Sequence, residues 1–207
     1  MNRVRIKVCG MTRVEDAILA SDLGADAIGI VFYNKSPRGT TLAAGAEIVK
    51  SINPLCKSVA VVVDPEVEFI ENILEQTRVD MLQFHGTETP AFCEQFGVPY
   101  VKALRMADDV DLAEQVQRYN SASGLLLDTY VKGIVGGTGK SFDWQRARGV
   151  NDHRLILAGG LTNLTIAEAV TQSGIRSIDL SSALEARPGI KDADKVCSLF
   201  AALARIK

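Results

Sequence analysis

Histidine is scarce in this sequence and cysteine is dispersed. Two histidines, His85 and His153, and four cysteines, Cys9, Cys56, Cys93 and Cys197, are spread over 207 residues without a CxxC pair. That supply gives a zinc site little support. Structural disulfides do not suit the reducing compartment expected for the chain. Cys56, Cys93 and Cys197 are therefore read as packing residues, because free cysteine behaves as a small hydrophobe. Charge of one sign is also missing. A net charge of −2 and a pI near 5.8 leave no electrostatic footprint for nucleic acid. No apolar stretch approaches the roughly 18 residues that a membrane span requires. The basic N-terminus lacks the continuous apolar segment of a signal peptide, since Lys7 and Cys9 interrupt it. The expectation is a cytoplasmic protein with no nucleic-acid or membrane partner. Without a Ser/Pro-rich linker, low-complexity tract or composition break, residues 1–207 are expected to form one domain.

Short apolar runs are what the sequence does contain. Strands are expected at about 5–10, 27–32, 57–63, 81–86, 100–105, 124–129, 154–160 and 177–182. Ala27–Phe32 and Ser58–Val63 are continuously apolar, as strands buried on both faces should be. Amphipathic helices are expected between strands, among them Val14–Leu23 with Glu15, Asp16 and Asp22 facing outward, Val67–Thr77, and Ala193–Ile206. Gly24, Gly97 and Gly174 follow helices where a left-handed cap is wanted. Eight βα units at a spacing of roughly 25 residues point to an α/β fold: one (β/α)₈ barrel of parallel strands, with its active site at the C-terminal mouth.

Strand parity gathers four polar residues at that mouth. Cys9, His85, Asp128 and Asp179 would project inward from strands 1, 4, 6 and 8. Singly, a strand cysteine is more often core than catalytic, and a strand-terminal aspartate is often a cap or loop anchor. A second group is shaped for phosphate. Gly159-Gly160, with Leu161-Thr162-Asn163 opening the next helix, and Ser181-Ser182 offer backbone amides and hydroxyls after strands 7 and 8. Glycine turns and serine caps are the plainer reading. Gly136-Gly137-Thr138-Gly139-Lys140-Ser141 is not a Walker P-loop, because Ile134 stands where the first glycine is required. Its length and glycine content suit a lid at 130–142, or simply a flexible surface loop. Pro37 stiffens the loop that carries Arg38, whose planar fork suits a carboxylate; alone, such an arginine is usually a solvated surface charge.

Taken in order, Lys7-Val8-Cys9-Gly10-Met11-Thr12, Phe32-Tyr33-Asn34-Lys35-Ser36-Pro37-Arg38, Gln83-Phe84-His85-Gly86, Leu127-Asp128, Gly136–Trp144, Leu157–Leu161, Asp179–Ser182 and Pro188–Asp192 resemble the phosphoribosylanthranilate isomerase family of tryptophan biosynthesis. The matching segments span essentially the whole chain. The resemblance implies an Amadori rearrangement of N-(5-phosphoribosyl)anthranilate to 1-(2-carboxyphenylamino)-1-deoxyribulose 5-phosphate, with neither metal nor organic cofactor. It implies Cys9 as general base, Asp128 as general acid and Arg38 as holder of the anthranilate carboxylate. Gly159, Gly160, Ser181 and Ser182 would take the phosphate, and His85 and Asp179 would make further substrate contacts. The expected partner is thus a small sugar phosphate, bound by a monomer or homodimer.

The chemistry sets requirements. Asp128 must hold a proton to open the sugar ring, and Cys9 must be a thiolate to remove the C2 proton. An ordinary thiol with a pKa of about 8.5 is only slightly ionised at neutral pH. Lys7, one inward position below Cys9, or nearby backbone amides are expected to depress it. Three departures from the family pattern stand out: Ala183-Leu184 for the common glycine-valine, Phe84 for leucine, and no Asn-Pro after Gly160. A positive φ at 183 would cost alanine about 1 kcal/mol. Other readings are a histidine-pathway isomerase, disfavoured because it resembles a two-carboxylate machine, a Cys9/His85 hydrolase, and a phosphate-binding barrel without catalysis.

Overall fold

The computed structural model describes residues 3–129, 143–150 and 152–204. Eight parallel strands close into a barrel in sequential order. They are β1 (Arg5–Cys9), β2 (Ala27–Val31), β3 (Lys57–Val62), β4 (Met81–Phe84), β5 (Tyr100–Met106), β6 (Gly124–Thr129), β7 (Leu155–Leu157) and β8 (Ser177–Leu180). Around them lie α1 (Val14–Asp22), α2 (Leu42–Ser51), α3 (Val67–Thr77), α4 (Pro90–Glu94), α5 (Leu112–Arg118), α6 (Ile166–Ser173) and α7 (Ala193–Leu203). The expected barrel is the observed one.

Side-chain alternation divides the core into two layers. Ile6, Val8, Ile28, Ile30, Ala60, Val62, Leu125 and Leu127 point outward from the strands into the apolar shell beneath the helices. Val101, Ala103, Leu126 and Ala158 form a small patch inside the barrel. Lys7 and Gln83 are buried with them on the inward parity. Strands covered on both faces explain why β2 and β3 read as unbroken apolar runs.

Several expected boundaries move. Strands 1, 2, 3, 4, 7 and 8 stop one to three residues short, before the turns that hold the polar groups, whereas β5 runs on to Met106. The helix expected to open at Leu161 begins only at Ile166, because Thr162 and Thr165 first form a hydrogen-bonded turn. Asp16, expected outside, is 5% exposed. It accepts from the Arg13 guanidinium and the Lys191 amide, which satisfies its burial. Cys197 is exposed rather than packed, since α7 buries Val196 and Leu199 instead. Between β6 and β7 the described residues carry one turn of 3₁₀ helix, Trp144–Ala147, in place of an α-helix. The loop at 130–142, read as a lid, lies outside the described residues. Gly24, Gly97 and Gly174 all have the expected positive φ. Ala183 does not: it sits in a 3₁₀ turn, Ser182–Leu184, and carries no left-handed strain.

Two features were not read from the sequence. After β8 an antiparallel hairpin of β9 (Glu185–Arg187) and β10 (Ile190–Lys191) folds across the mouth. Beneath the loop after β4, Glu88 is buried and accepts from Lys102 Nζ at 2.7 Å and from the amides of Asp64 and Gly86. Tyr119 donates its hydroxyl to the Glu88 carbonyl at 2.9 Å, closing this polar island. Removing one partner of a buried ion pair leaves an uncompensated charge, at a cost of about 3–5 kcal/mol. Lys102→Met should therefore lower the urea midpoint of unfolding by a matching amount. An unchanged midpoint would show that Glu88 is satisfied by the backbone amides alone.

Candidate active site

The barrel closes where β1 meets β8, with Lys7 opposite Asp179 in parallel register. Lys7 Nζ lies 2.9 Å from Asp179 Oδ1, both side chains nearly buried. On the other side β1 pairs with β2, and Cys9 stands opposite Gly29. A Cβ at Gly29 would come within 2.6 Å of Cys9 Sγ and 3.1 Å of Lys7 Nζ, so glycine there gives the thiol and the ammonium their space. Burial favours the neutral amine of Lys7, but Asp179 and then Cys9 outweigh it and hold the ammonium above its ordinary range.

For Cys9 the balance goes the other way. Burial pushes the thiol up, Lys7 opposes it, and Asp179 adds to the rise; the net direction is up. The expectation that Lys7 would leave Cys9 depressed is thus corrected. The lysine is shared with a carboxylate, and desolvation of the thiolate is the larger effect. Burial also pushes Cys56 and Cys93 up, to about 11 and about 12.

Across the mouth, His85 Nε2 lies 3.1 Å from Asp128 Oδ2. The other oxygen, Oδ1, accepts from the Thr129 amide at 2.9 Å. Gly159 makes room for this arrangement. Its φ is +74°, and a Cβ there would collide with Thr129 and approach Asp128 Oδ1 within 2.9 Å. Cys9, Arg38, His85, Asp128 and Asp179 all line one cavity of about 570 Å³, within the size usual for small-molecule sites. Gly159, Gly160, Ser181 and Ser182 line the same cavity at its β7–β8 side. Val31, Val61 and Tyr33 pack beside Cys9 as an apolar wall. Among the described residues no group of three or more histidine, cysteine, aspartate or glutamate side chains is set to hold a metal ion.

Arg38 reaches the cavity from the loop after β2, but not as a free fork. Its Nε and Nη2 donate to Glu185 at 2.8 and 2.7 Å, leaving Nη1 outside that pair. Glu185 also accepts from Lys191 Nζ at 3.1 Å and from the Gly189 amide at 3.3 Å. Lys191 Nζ in turn donates to the carbonyls of Cys9 at 2.6 Å and Ser181 at 3.2 Å. One buried lysine thus ties the ends of β1 and β8 to the residue that aims Arg38. Gly10 completes the fit: a Cβ there would meet Arg38 Cδ at 2.6 Å. Glu185 and Lys191 were missed as site residues. Lys191 lay within Pro188–Asp192, one of the segments that resemble the family, and Pro188-Gly189 marks a turn, but neither signal showed which groups Lys191 and Glu185 would meet.

With this geometry, comparison with known proteins is decisive. Residues 6–202 match the family model for N-(5'phosphoribosyl)anthranilate (PRA) isomerase. The chain belongs to the phosphoribosylanthranilate isomerase family. A relative named N-(5'-phosphoribosyl)anthranilate isomerase from Stutzerimonas stutzeri is 49% identical over 193 residues, covering 93% of each chain. The crystal structure of phosphoribosyl anthranilate isomerase from Thermus thermophilus superposes with a TM-score of 0.87 at 33% identity, covering 98% of this chain and all of that one. A further family structure, solved in complex with reduced 1-(o-carboxyphenylamino)-1-deoxyribulose 5-phosphate, gives 0.84 at 30% identity, covering 97% of this chain and 98% of that one.

Two measurements check the electrostatics of this isomerase-family site. Alkylation of Cys9 by iodoacetamide, followed in a Cys197→Ser background, should rise with pH through a midpoint above the ordinary thiol value, and Lys7→Met should move that midpoint higher still. A midpoint below the ordinary value would contradict the dominance of burial. The second concerns Glu185. Burial would raise its carboxyl, but Arg38 and Lys191 outweigh that and hold it below the ordinary range. A depressed folded pKa contributes stability above the unfolded value of about 4.3, and that stability is lost as pH falls through the folded pKa. Glu185→Gln should destabilise the protein at neutral pH by roughly 3 kcal/mol and flatten the fall in urea midpoint below about pH 4.3. Parallel curves for the two proteins would contradict it.

Proposed function

We propose that the barrel isomerises N-(5'-phosphoribosyl)anthranilate to 1-(2-carboxyphenylamino)-1-deoxyribulose 5-phosphate, with Cys9 as general base and Asp128 as general acid. The observation that carries this assignment is the meeting of both groups in one cavity of a chain that belongs to the isomerase family. Asp128 donates a proton to the ribose ring oxygen, the ring opens, and the anthranilate nitrogen becomes an imine. The Cys9 thiolate then removes the proton at C2, giving an enolamine that tautomerises to the ketone. Proton transfers alone complete the change, so the proposed reaction calls on neither metal nor organic cofactor. The step requires Cys9 ionised and Asp128 protonated at once, and each positioned group supplies about 10²–10⁴-fold.

Binding divides among the remaining groups. Nη1 of Arg38, held outside the Glu185 fork, is assigned to the anthranilate carboxylate. Val31, Val61 and Tyr33 offer an apolar bed for the aromatic ring beside Cys9. Gly159, Gly160, Ser181 and Ser182 are assigned to the phosphate, where barrel enzymes commonly hold one. His85 contacts Asp128 and Asp179 pairs with Lys7, so their contribution to substrate binding is assigned as secondary to those contacts. A hydrolase built on Cys9 and His85 is not favoured, because the imidazole is directed at Asp128.

Every assigned side chain comes from one chain, so a monomer suffices and a homodimer would hold two separate sites. One catalytic barrel spanning residues 1–207, acting in the cytoplasm, is the setting inferred for this biosynthetic step. No helix among the described residues is long and apolar enough to cross a membrane.

Freshly generated phosphoribosylanthranilate should lose its fluorescence rapidly on adding the protein, after subtraction of spontaneous hydrolysis. Cys9→Ser and Asp128→Asn should each slow the loss by about 10²-fold or more. Arg38→Met should act mainly by raising KM. A folded wild-type protein without turnover would overturn the isomerase reading in favour of a phosphate-binding barrel.

A further inference from the structure

Gln83 lies on the inward parity of β4, two residues before His85, and is only 1% exposed. Its Nε2 is 3.1 Å from His85 Nδ1. Its Oε1 is buried without a hydrogen-bond partner among the described residues. Beyond the imidazole, His85 Nε2 is 3.1 Å from Asp128 Oδ2. Three side chains therefore form a line from the barrel floor to the group assigned as general acid.

The chemistry of an amide restricts this line. An amide nitrogen only donates, so Nδ1 must present its lone pair to Gln83. A neutral imidazole then carries its proton on Nε2 and donates it to Asp128, which is thereby received as a carboxylate. That pattern cannot open the ring. An acid-loaded Asp128 must donate to a bare Nε2, which requires the imidazole proton on Nδ1. Nδ1–H in turn needs an acceptor, and Oε1, brought round by a half-turn of the amide, is the acceptor at hand. In the orientation described the oxygen is unpartnered. Turned, the amide would leave its nitrogen in that place. Each orientation therefore leaves one amide atom unsatisfied, so a half-turn trades one unmet atom for the other, while the contact of His85 Nε2 with Asp128 Oδ2 favours the orientation described.

We propose that Gln83 is a positioning residue for the acid step: its amide orientation selects the tautomer of His85, and through it whether Asp128 can hold the proton it delivers. The inference rests on the isomerase reading above. Protons balance as follows. The acid-loaded line holds one proton more than the line with Nε2–H and an Asp128 carboxylate. Nδ1 gains a proton from hydronium in solvent, Nε2 passes its own to Asp128 Oδ2, and Asp128 gives it to the ring oxygen of the sugar; the C2 proton taken by Cys9 is later released to solvent, so the count closes. Other charged groups bear on the line from neighbouring strands. Asp179 on β8 acts on both His85 and Asp128 through space and is itself paired with Lys7 on β1. From β5, Arg105 Nη2 donates to the backbone carbonyl of His85 at 3.4 Å. None of these side chains is hydrogen-bonded to Nδ1, so Gln83 is the group that decides its protonation.

The test is the ¹⁵N spectrum of histidine-labelled protein without substrate, alongside steady-state kinetics. The chain has two histidines, and loss of the other signals in His153→Gln assigns those of His85. Wild type should show His85 with its proton on Nε2 and Nδ1 bare at neutral pH. Gln83→Glu, whose carboxylate can only accept, should place a proton on Nδ1. Gln83→Met, which can do neither, should mix the tautomers and lower kcat by about 10-fold, a fraction of what a positioned acid supplies, with KM nearly unchanged. His85 spectra that are identical in wild type and Gln83→Glu would overturn the proposal, as would an unchanged kcat in Gln83→Met. The spectra need no turnover, so they judge the tautomer control separately from the isomerase reading, which wild-type inactivity alone would sink.

Discussion

The pairing of the first strand with the last is the constraint on which the site depends. Until β1 lies against β8, Cys9 and Asp179 belong to opposite ends of the chain. Once it does, the register sets Lys7 opposite Asp179 and places Ser181 beside the exit of β1. A slip of one residue would turn Asp179 to the outer face and leave Lys7 buried without a partner. The ion pair is therefore a register lock as much as a stabilising contact. Lys191 repeats the device one layer higher, joining the carbonyls of Cys9 and Ser181 from the hairpin that follows β8 in the chain.

The outer and inner faces of the strands do different work. Outward residues such as Val8, Ile28 and Leu127 are fully buried beneath helices and supply the apolar burial on which the barrel rests. The inner face carries Lys7, Gln83, Asp128 and Asp179, groups that are costly to bury and are tolerated because each meets a neighbour, Gln83 through its amide nitrogen alone. That cost is visible at Cys9, where burial outweighs the nearby ammonium. Such desolvation gives a more basic thiolate at Cys9, the proposed base, but a smaller fraction of it. Glycines at 29 and 159 are the spatial counterpart: each leaves a gap that a methyl group would close, on Cys9 and on Asp128.

Much of this was legible in the sequence, and the failures have physical causes. Strand existence and closure followed from apolar runs at regular spacing, and inward parity correctly brought Cys9, His85, Asp128 and Asp179 together. Boundaries failed where polar residues continue past the last ladder bond, as at Ser181, because hydrophobicity does not mark where pairing stops. Asp16 was misassigned because a helix-face pattern cannot show that an amide from residue 191 will reach the carboxylate. Glu185 and Lys191 could not be recognised for the same reason: their partners are remote in sequence and meet only through the closed barrel. The direction of the Cys9 shift was missed because a neighbouring lysine is visible in a sequence, whereas the depth of burial is not.

In the proposed isomerisation, hydrogen leaves C2 of the substrate as a proton taken by Cys9. Substrate carrying deuterium at C2, converted in ordinary water and analysed by mass spectrometry and NMR, tests it directly. The product should lose the label to solvent, and single-turnover conversion should show a primary isotope effect. Quantitative transfer of deuterium from C2 to C1, as a direct hydride shift would give, would contradict it.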